Sequence, residues 1–321
     1  MEEQTMNRRN ALEFLAGFLA LSASNCVANS EFKNKFKKGI KIGYLPICDH
    51  LLIIAKDIFI SDTHEIVGIK FASWADLSEA LRAGAIDGAF LLAPLGLMLK
   101  ASGVDIKVVM AAHKNGSAII ANQNINSISE LDGKNVGIPS RFSSHYFILD
   151  KLINKYGIKV NLIDMAPTEM PFALLTGRLD AYIVAEPFGQ LAVKYGAKNL
   201  IFSKEIEPNH ICCLLNFTSE LIRSSIAKKL IAAFKSAAKF ANSSPSEAAV
   251  SGAKILGQEL NIIDDTIQKG IISYSDLSVS KSQLEELKQF LIKVNLASNE
   301  LKKLDINNYL ESLIWDIFGS L

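Results

Sequence analysis

One pattern occurs twice in this chain without a gap. Residues 79 to 96 (EALRAGAIDGAFLLAPLG) align with residues 172 to 189 (FALLTGRLDAYIVAEPFG) at a constant offset of 93. Ala80, Leu81, Gly84, Ile86, Asp87, Pro94 and Gly96 face Ala173, Leu174, Gly177, Leu179, Asp180, Pro187 and Gly189. Each copy reads as a helix end stopped by Gly, a short turn that delivers Asp, an apolar strand, and Pro to end the strand. Two copies of one helix-turn-strand unit confine the chain to folds with two similar α/β lobes. The copies differ at one informative position, where Ala93 of the first becomes Glu186 of the second.

The segments around the repeat extend the same plan. Ile40 to Pro46 alternates and predicts a first strand; Asp49 is a candidate N-cap for the helix HLLIIAKDIFI, and Ile66 to Phe71 is the next strand. Ser73 opens a capping box for a helix that runs into the first repeat. The resulting β-α-β-α-β order implies parallel strands, because each pair is separated by a crossover helix. After strands at 106–111 and 118–121 the plan restarts with a strand at 136–139, a helix over 143–157 and a strand VNLIDM. A strand at 211–217 follows, then helices from Ser219 to Ala241, from Ser244, and over about 263–274, 281–294 and 306–318. The C-terminal helices are assigned to the first lobe.

A chain of 321 residues with 49% apolar and 21% charged residues has enough apolar material for two lobes. Its formal net charge of +1, with basic residues scattered, gives no electrostatic footprint for nucleic acid or an anionic membrane. Residues 1–28 differ: Arg8-Arg9, an apolar run from Leu12 to Leu21 and small residues to Ala28 read as a twin-arginine-like signal peptide. Cys26 is a candidate lipid-attachment cysteine, and cleavage after Ala28 is the alternative. The other cysteines, Cys48 and the vicinal pair Cys212-Cys213, match neither a disulfide framework nor a zinc ribbon and read as small buried hydrophobes.

In open parallel sheets ligands bind beyond the carboxyl ends of the strands. Those ends supply Asp49, His50, Ser73, Trp74, Pro94, Ser140, Arg141, Ser144, His145 and Glu186 as candidate ligand-binding residues, with Ser117 and His210 near the segments that pass between lobes. Trp74 reads as a flat pocket wall or as packing between loops, and Glu186 as a site acid or half of an ion pair. Ser140, Ser143, Ser144 and His145 surround a helix start that either binds an anion or is simply capped by serine. The motifs GxSxG, HExxH, GxGxxG and the Walker A loop are absent, so no catalytic residue and no cofactor is assigned. His50, His145, His210, Cys48, Cys212 and Cys213 could meet around a soft metal, but they lack metal-ligand spacing and no metal is assigned.

The segments IKIGYLPICDHLLIIAKD, FASWADLSEALRAGAIDGAFLLAPLGLML, ELDGKNVGIPSRFSSHYFILDKL and DAYIVAEPFGQLAV, in consistent order over about 39–245, resemble the nitrate/sulfonate/bicarbonate-type substrate-binding proteins of ABC transporters. The resemblance implies a type II periplasmic-binding fold: two α/β lobes joined by two hinge crossings near Ser117 to Asn122 and Ile211 to Asn216. Lobe one is expected over 39–121 and 211–321, and lobe two over 122–210. It further implies no enzymatic activity. The resemblance implies that a small anionic solute is captured between the lobes, outside the cytoplasmic membrane, and delivered to a membrane permease and its ATPase. Trp74 and His145 carry over from the family pattern; the segment Glu207 to Cys213 lacks the family's lysine, and Arg141 is the candidate replacement charge. Thiamine-pyrimidine synthases resemble the same loops, but their CCCFC stretch is reduced here to Cys212-Cys213. A ligand-sensing subunit on the same clamp is the third reading.

Overall fold

A computed structural model describes residues 37–311. The signal-like segment 1–28, with Cys26, lies outside the described residues; of the helix expected over 306–318 the described part is the 3-10 turn Ile306–Asn308, with Leu310 bridged to Val108, and the rest lies outside them. The strands are β1 (Lys38–Tyr44), β2 (His64–Lys70), β3 (Gly88–Leu92), β4 (Ile106–Ala111), β5 (Lys114–Asn115) and β6 (Ser117–Ala121). They continue with β7 (Asn135–Ile138), β8 (Asn161–Asp164), β9 (Ala181–Ala185), β10 (Lys198–Phe202), β11 (Cys213–Thr218) and β12 (Ile272–Ser273).

Two five-stranded sheets result, in the orders β2-β1-β3-β11-β4 and β10-β6-β9-β7-β8. Reversing the second list pairs the sheets strand for strand. In each, two parallel neighbours of the repeat strand lie on one side, and an antiparallel strand separates it from the far edge. β3 and β9, which carry the repeated sequence, sit at the centre and are buried along their whole length. Continuous apolar strands of this kind are what a sheet covered by helices on both faces requires. The antiparallel strand of each sheet, β11 or β6, is the one that follows a passage between lobes. The first passage runs through 112–116, so Ser117–Ala121, counted with the first lobe from sequence, pairs in the second sheet with β9 and β10.

The repeat is built alike in both copies. Gly84 and Gly177 take positive φ values of 67° and 76°, the left-handed region that stops each helix at little steric cost. The Asp that follows pins the neighbouring strand: Lys41 N–H, in the middle of β1, donates to Asp87 Oδ2 at 2.7 Å, and Asn135 N–H, at the start of β7, to Asp180 Oδ2 at 2.9 Å. The repeated prolines do not merely end the strand. Pro94 lies in the first turn of the helix Ala93–Ala101, where its missing N–H costs nothing, and Pro187 precedes the helix Phe188–Lys194.

Most expected helices are present with shifted ends. The helix expected after β1 is a 3-10 segment, Cys48–Ile54, leading into Ala55–Ile58, and Asp49 does not cap it because its side chain points inward. The run from Ser219 divides into Ser219–Arg223 and Ala227–Ser243, and the helix expected over 263–274 is Leu260–Gln268 followed by β12. Helix Lys281–Lys293 packs on the first lobe's Ala93–Ala101 and also touches the second lobe: Phe290 meets Tyr146 and Phe147 edge-on, with ring centroids 5.1 and 5.4 Å apart. Among the described residues no helix is long and apolar enough to cross a membrane.

Candidate functional site

The carboxyl ends of the parallel strands in the two sheets converge on one buried cluster. Asp49 follows β1 and His113 follows β4; Cys212 precedes and Cys213 begins β11, which runs antiparallel and so starts at that same edge, with Cys213 opposite Leu92. From the second sheet come Ser117 at the start of β6, His145 in the first turn of helix Ser144–Tyr156, and Glu186 after β9. Asp49, His113, Ser117, Cys212, Cys213 and Glu186 are all 0% exposed, and His145 is 1% exposed. In this conformation the cluster is closed off from solvent.

Asp49 Oδ2 lies 3.1 Å from His113 Nε2 and accepts from the Cys213 thiol at 3.5 Å. Cys212 Sγ lies 3.9 Å from His145 Nδ1, and Ser117 Oγ stands 3.0 Å from Nε2 of the same ring. The backbone holds these groups in place: Ala93 N–H donates to Cys212 O at 2.8 Å, Ala112 N–H to Cys213 O at 2.9 Å, and Ser144 Oγ to Cys212 O at 3.2 Å. Cys48 N–H donates across to Glu186 O at 2.8 Å, tying the two lobes. Asp49 Oδ1 and His113 Nδ1 are buried without any hydrogen-bond partner.

Burial pushes the Asp49 carboxyl up to about 6, although His113 beside it pulls the other way. Burial alone would lower His113, but the Asp49 carboxylate and the Cys212 sulfur together outweigh it and raise the imidazole to about 10. The two therefore form an ion pair near neutral pH. Cys212 is held well below the usual thiol range: burial opposes ionisation, but the Cys213 thiol and the His145 and His113 imidazoles favour the thiolate. Burial and that neighbouring thiolate push Cys213 up. Burial drives Glu186 up to about 7, against the N–H groups of Gln190 and Gly189.

The remaining candidate residues fall into two groups. His50 is buried, accepts from Leu45 N–H at 2.7 Å and stacks on Phe90, while Trp74 packs edge-on against its ring; burial lowers its pKa to about 3. Trp74 Nε1 and His50 Nε2 are buried without a hydrogen-bond partner. Ser73 caps helix Trp74–Arg82, Pro94 starts its helix, Ser140 holds a local turn through Phe142 N–H, and His210 Nδ1 meets Glu207 O at 2.8 Å. Arg141, the candidate replacement charge, pairs with Asp164 at 3.2 Å on a half-exposed surface beside β8. Glu186 turns back onto its own helix, accepting from Gln190 N–H at 2.9 Å, so it caps that helix rather than pairing with a cation.

Sequence reasoning missed His113. The strand-end rule that selected Asp49 applies equally to β4, whose sequence runs straight into Ala112-His113 before the Asn115-Gly116 turn, so the signal was present. Tyr274 was also missed; its hydroxyl donates to Cys48 O at 2.8 Å from the C-terminal region, a contact no local pattern encodes.

Two α/β lobes with identical strand plans, facing each other through strand ends that carry buried polar groups, define the class of periplasmic binding proteins. A family model described as the NMT1-like family matches residues 33–257, and the chain belongs to that family. The ligand-binding component of an ABC-type import system from Staphylococcus aureus, described with zinc bound, is 28% identical and superposes with a TM-score of 0.79 over 87% of this chain and 98% of that one. The periplasmic nitrate-binding protein NrtA from Synechocystis is 16% identical, with a TM-score of 0.76 over 88% of each chain, a likeness of fold alone. The nitrate import ATP-binding protein NrtC of Synechocystis is 25% identical over 185 residues, 49% of this chain and 28% of that protein. The chain spans less than a third of the length of the curated relatives it matches.

Proposed function

We propose that the protein is the solute-binding component of an ABC import system. It closes two lobes on a small solute and presents it to a membrane permease driven by a separate ATPase. The observation that carries the reading is the convergence of polar side chains from both sheets on one buried cluster, where closure and solute contact are the same event. A solute shifts such an equilibrium only through contacts that differ between open and closed forms. Asp49, His113 and Cys213 from the first lobe and its passages, with Ser117 and His145 from the second, supply them. The printed descriptions of the relatives, an import-system ligand-binding component and a nitrate import ATP-binding protein, support this reading. Export on the twin-arginine-like segment, with or without a lipid on Cys26, belongs to the same proposal.

The sequence resemblance favours nitrate, bicarbonate or a sulfonate. The cluster's donors pull otherwise, since they include the Asp49 carboxyl and a Cys212 thiol held well below the usual thiol range, and Arg141 is engaged elsewhere. The solute panel therefore combines nitrate, bicarbonate, sulfonates, cyanate, pyrimidines and divalent metal salts, read by thermal unfolding. A true ligand at 100 times its dissociation constant adds about 2.7 kcal/mol of stability. His145→Ala should weaken that ligand at least tenfold, about 1.4 kcal/mol, by calorimetry. A panel that leaves the melting temperature flat, together with unchanged solute uptake in cells lacking the protein, overturns the importer reading.

A further inference from the structure

The importer reading does not name a solute class, and the donor set at the cluster does. Asp49, His113, Cys212 and Cys213 each turn one ligating atom inward, and these atoms all lie within 4.8 Å of one another. A tetrahedral zinc ion with bonds of about 2.0–2.3 Å holds its ligands roughly 3.3–3.8 Å apart. Two of the separations are already close to that, at 3.1 and 3.5 Å, so small side-chain movements complete the shell. The donors are two sulfurs, one imidazole nitrogen and one carboxylate oxygen, a combination that suits zinc and chemically similar ions and not calcium or magnesium.

Three further observations point the same way. Asp49 Oδ1 is buried with no partner, a state that ordinarily costs about 1–3 kcal/mol. The three cysteines among the described residues are free, so the vicinal thiols are not consumed in a disulfide. The donors also sit on backbone that is fixed by its own hydrogen bonds, through Cys212 O to Ala93 and Cys213 O to Ala112. Their placement is therefore set before any ion arrives. All four come from the first sheet's edge and the two passages between lobes. The second lobe adds His145, which faces Cys212 from the other side with Ser117 behind its ring, and would close over the bound ion.

We propose that Asp49, His113, Cys212 and Cys213 form a tetrahedral site for one zinc-like divalent metal ion, captured as the solute of this binding protein; the cargo role rests on the importer reading above. On coordination the Cys213 proton, which faces Asp49 in the absence of metal, leaves to solvent, and both sulfurs bind as thiolates.

The test uses the full chain, reduced and freed of metal, titrated with cobalt(II) and then with zinc. The expected result is a thiolate-to-cobalt charge-transfer band that saturates at one equivalent and is bleached by zinc. The double variant Cys212→Ser, Cys213→Ser should lose the band, and His113→Gln should weaken zinc at least 100-fold, about 2.7 kcal/mol. No charge-transfer band in the wild-type protein overturns the proposal whatever the variants do, and so does a band that survives in the folded double-serine variant. A protein that binds no metal but is stabilised by another small solute sinks the metal site and leaves the importer reading intact. Stoichiometric metal binding with unchanged metal uptake in cells lacking the protein keeps the site and removes the cargo role.

Discussion

The Asp49–His113 pair has an effect on stability that can be read directly. Removing one member of a buried ion pair leaves the other uncompensated, typically at a cost of about 3–5 kcal/mol. His113→Ala should lie in that range in urea melts of the metal-free protein, and Asp49→Asn in the same chain should return part of the loss as a coupling of at least about 1 kcal/mol. Glu186 gives a second, pH-resolved prediction. Its folded pKa of about 7 exceeds the usual 4.5, so the folded state binds more protons over that interval and stability falls as pH rises through it. The fall is of the order of 3 kcal/mol at full ionisation. Glu186→Gln should flatten this slope between pH 4.5 and 7, and a slope as steep as in the wild type would mean that the carboxyl is not the group responsible. Glu186 was legible as the residue breaking the repeat's symmetry, yet its orientation was not. Whether it faces a solute or its own helix depends on Gln190, four residues on, and on how helix Phe188–Lys194 begins.

The repeated element makes a matched pair of predictions. Asp87 and Asp180 do the same work in different sheets, so Asp87→Ala and Asp180→Ala should each cost about 1 kcal/mol and add in the double variant. The repeated Gly96 is constrained from outside the repeat. A methyl group there collides with the Tyr309 hydroxyl, which donates to buried Asn216 at 2.7 Å. Gly96→Ala should therefore destabilise by about 1–3 kcal/mol, with Tyr309→Phe recovering a part in thermal melts. The repeat itself was legible because glycine stops, turn aspartates and central strands are local signals. Tyr309 against Gly96 was not, because it joins positions more than two hundred residues apart. The placement of β6 was missed for a related reason: Ser117–Ala121 reads as a strand anywhere, and only its pairing with β9 assigns it to the second lobe.

For the molecule as a whole, the two sheets were foreseeable from sequence and the bridge between them was not. Asp150 and Lys151 of the second lobe meet Lys293 and Glu286 of helix Lys281–Lys293 at 2.7 and 2.8 Å, and Lys194 meets Glu259 at 2.7 Å. Exposed pairs are individually worth about 0.2–1 kcal/mol and weaken with salt. Together with Phe290 the first two pairs join helix Lys281–Lys293 to the second lobe. If the protein closes on a solute as proposed, Phe290→Ala should speed its release several-fold and enlarge the solute-free protein in small-angle scattering; an unchanged release rate would show that this helix does not hold the lobes together. The passages between lobes have a mechanical consequence of their own. Lys114 bridges to Ile211, Asn115 N–H donates to His210 O at 3.1 Å, and β5 pairs with β12, so the two strands linking the lobes are bonded to each other and to a third. Such a braid resists shear and splaying but still twists, and it leaves the halves one soft degree of freedom, like a book whose spine bends while its covers stay flat.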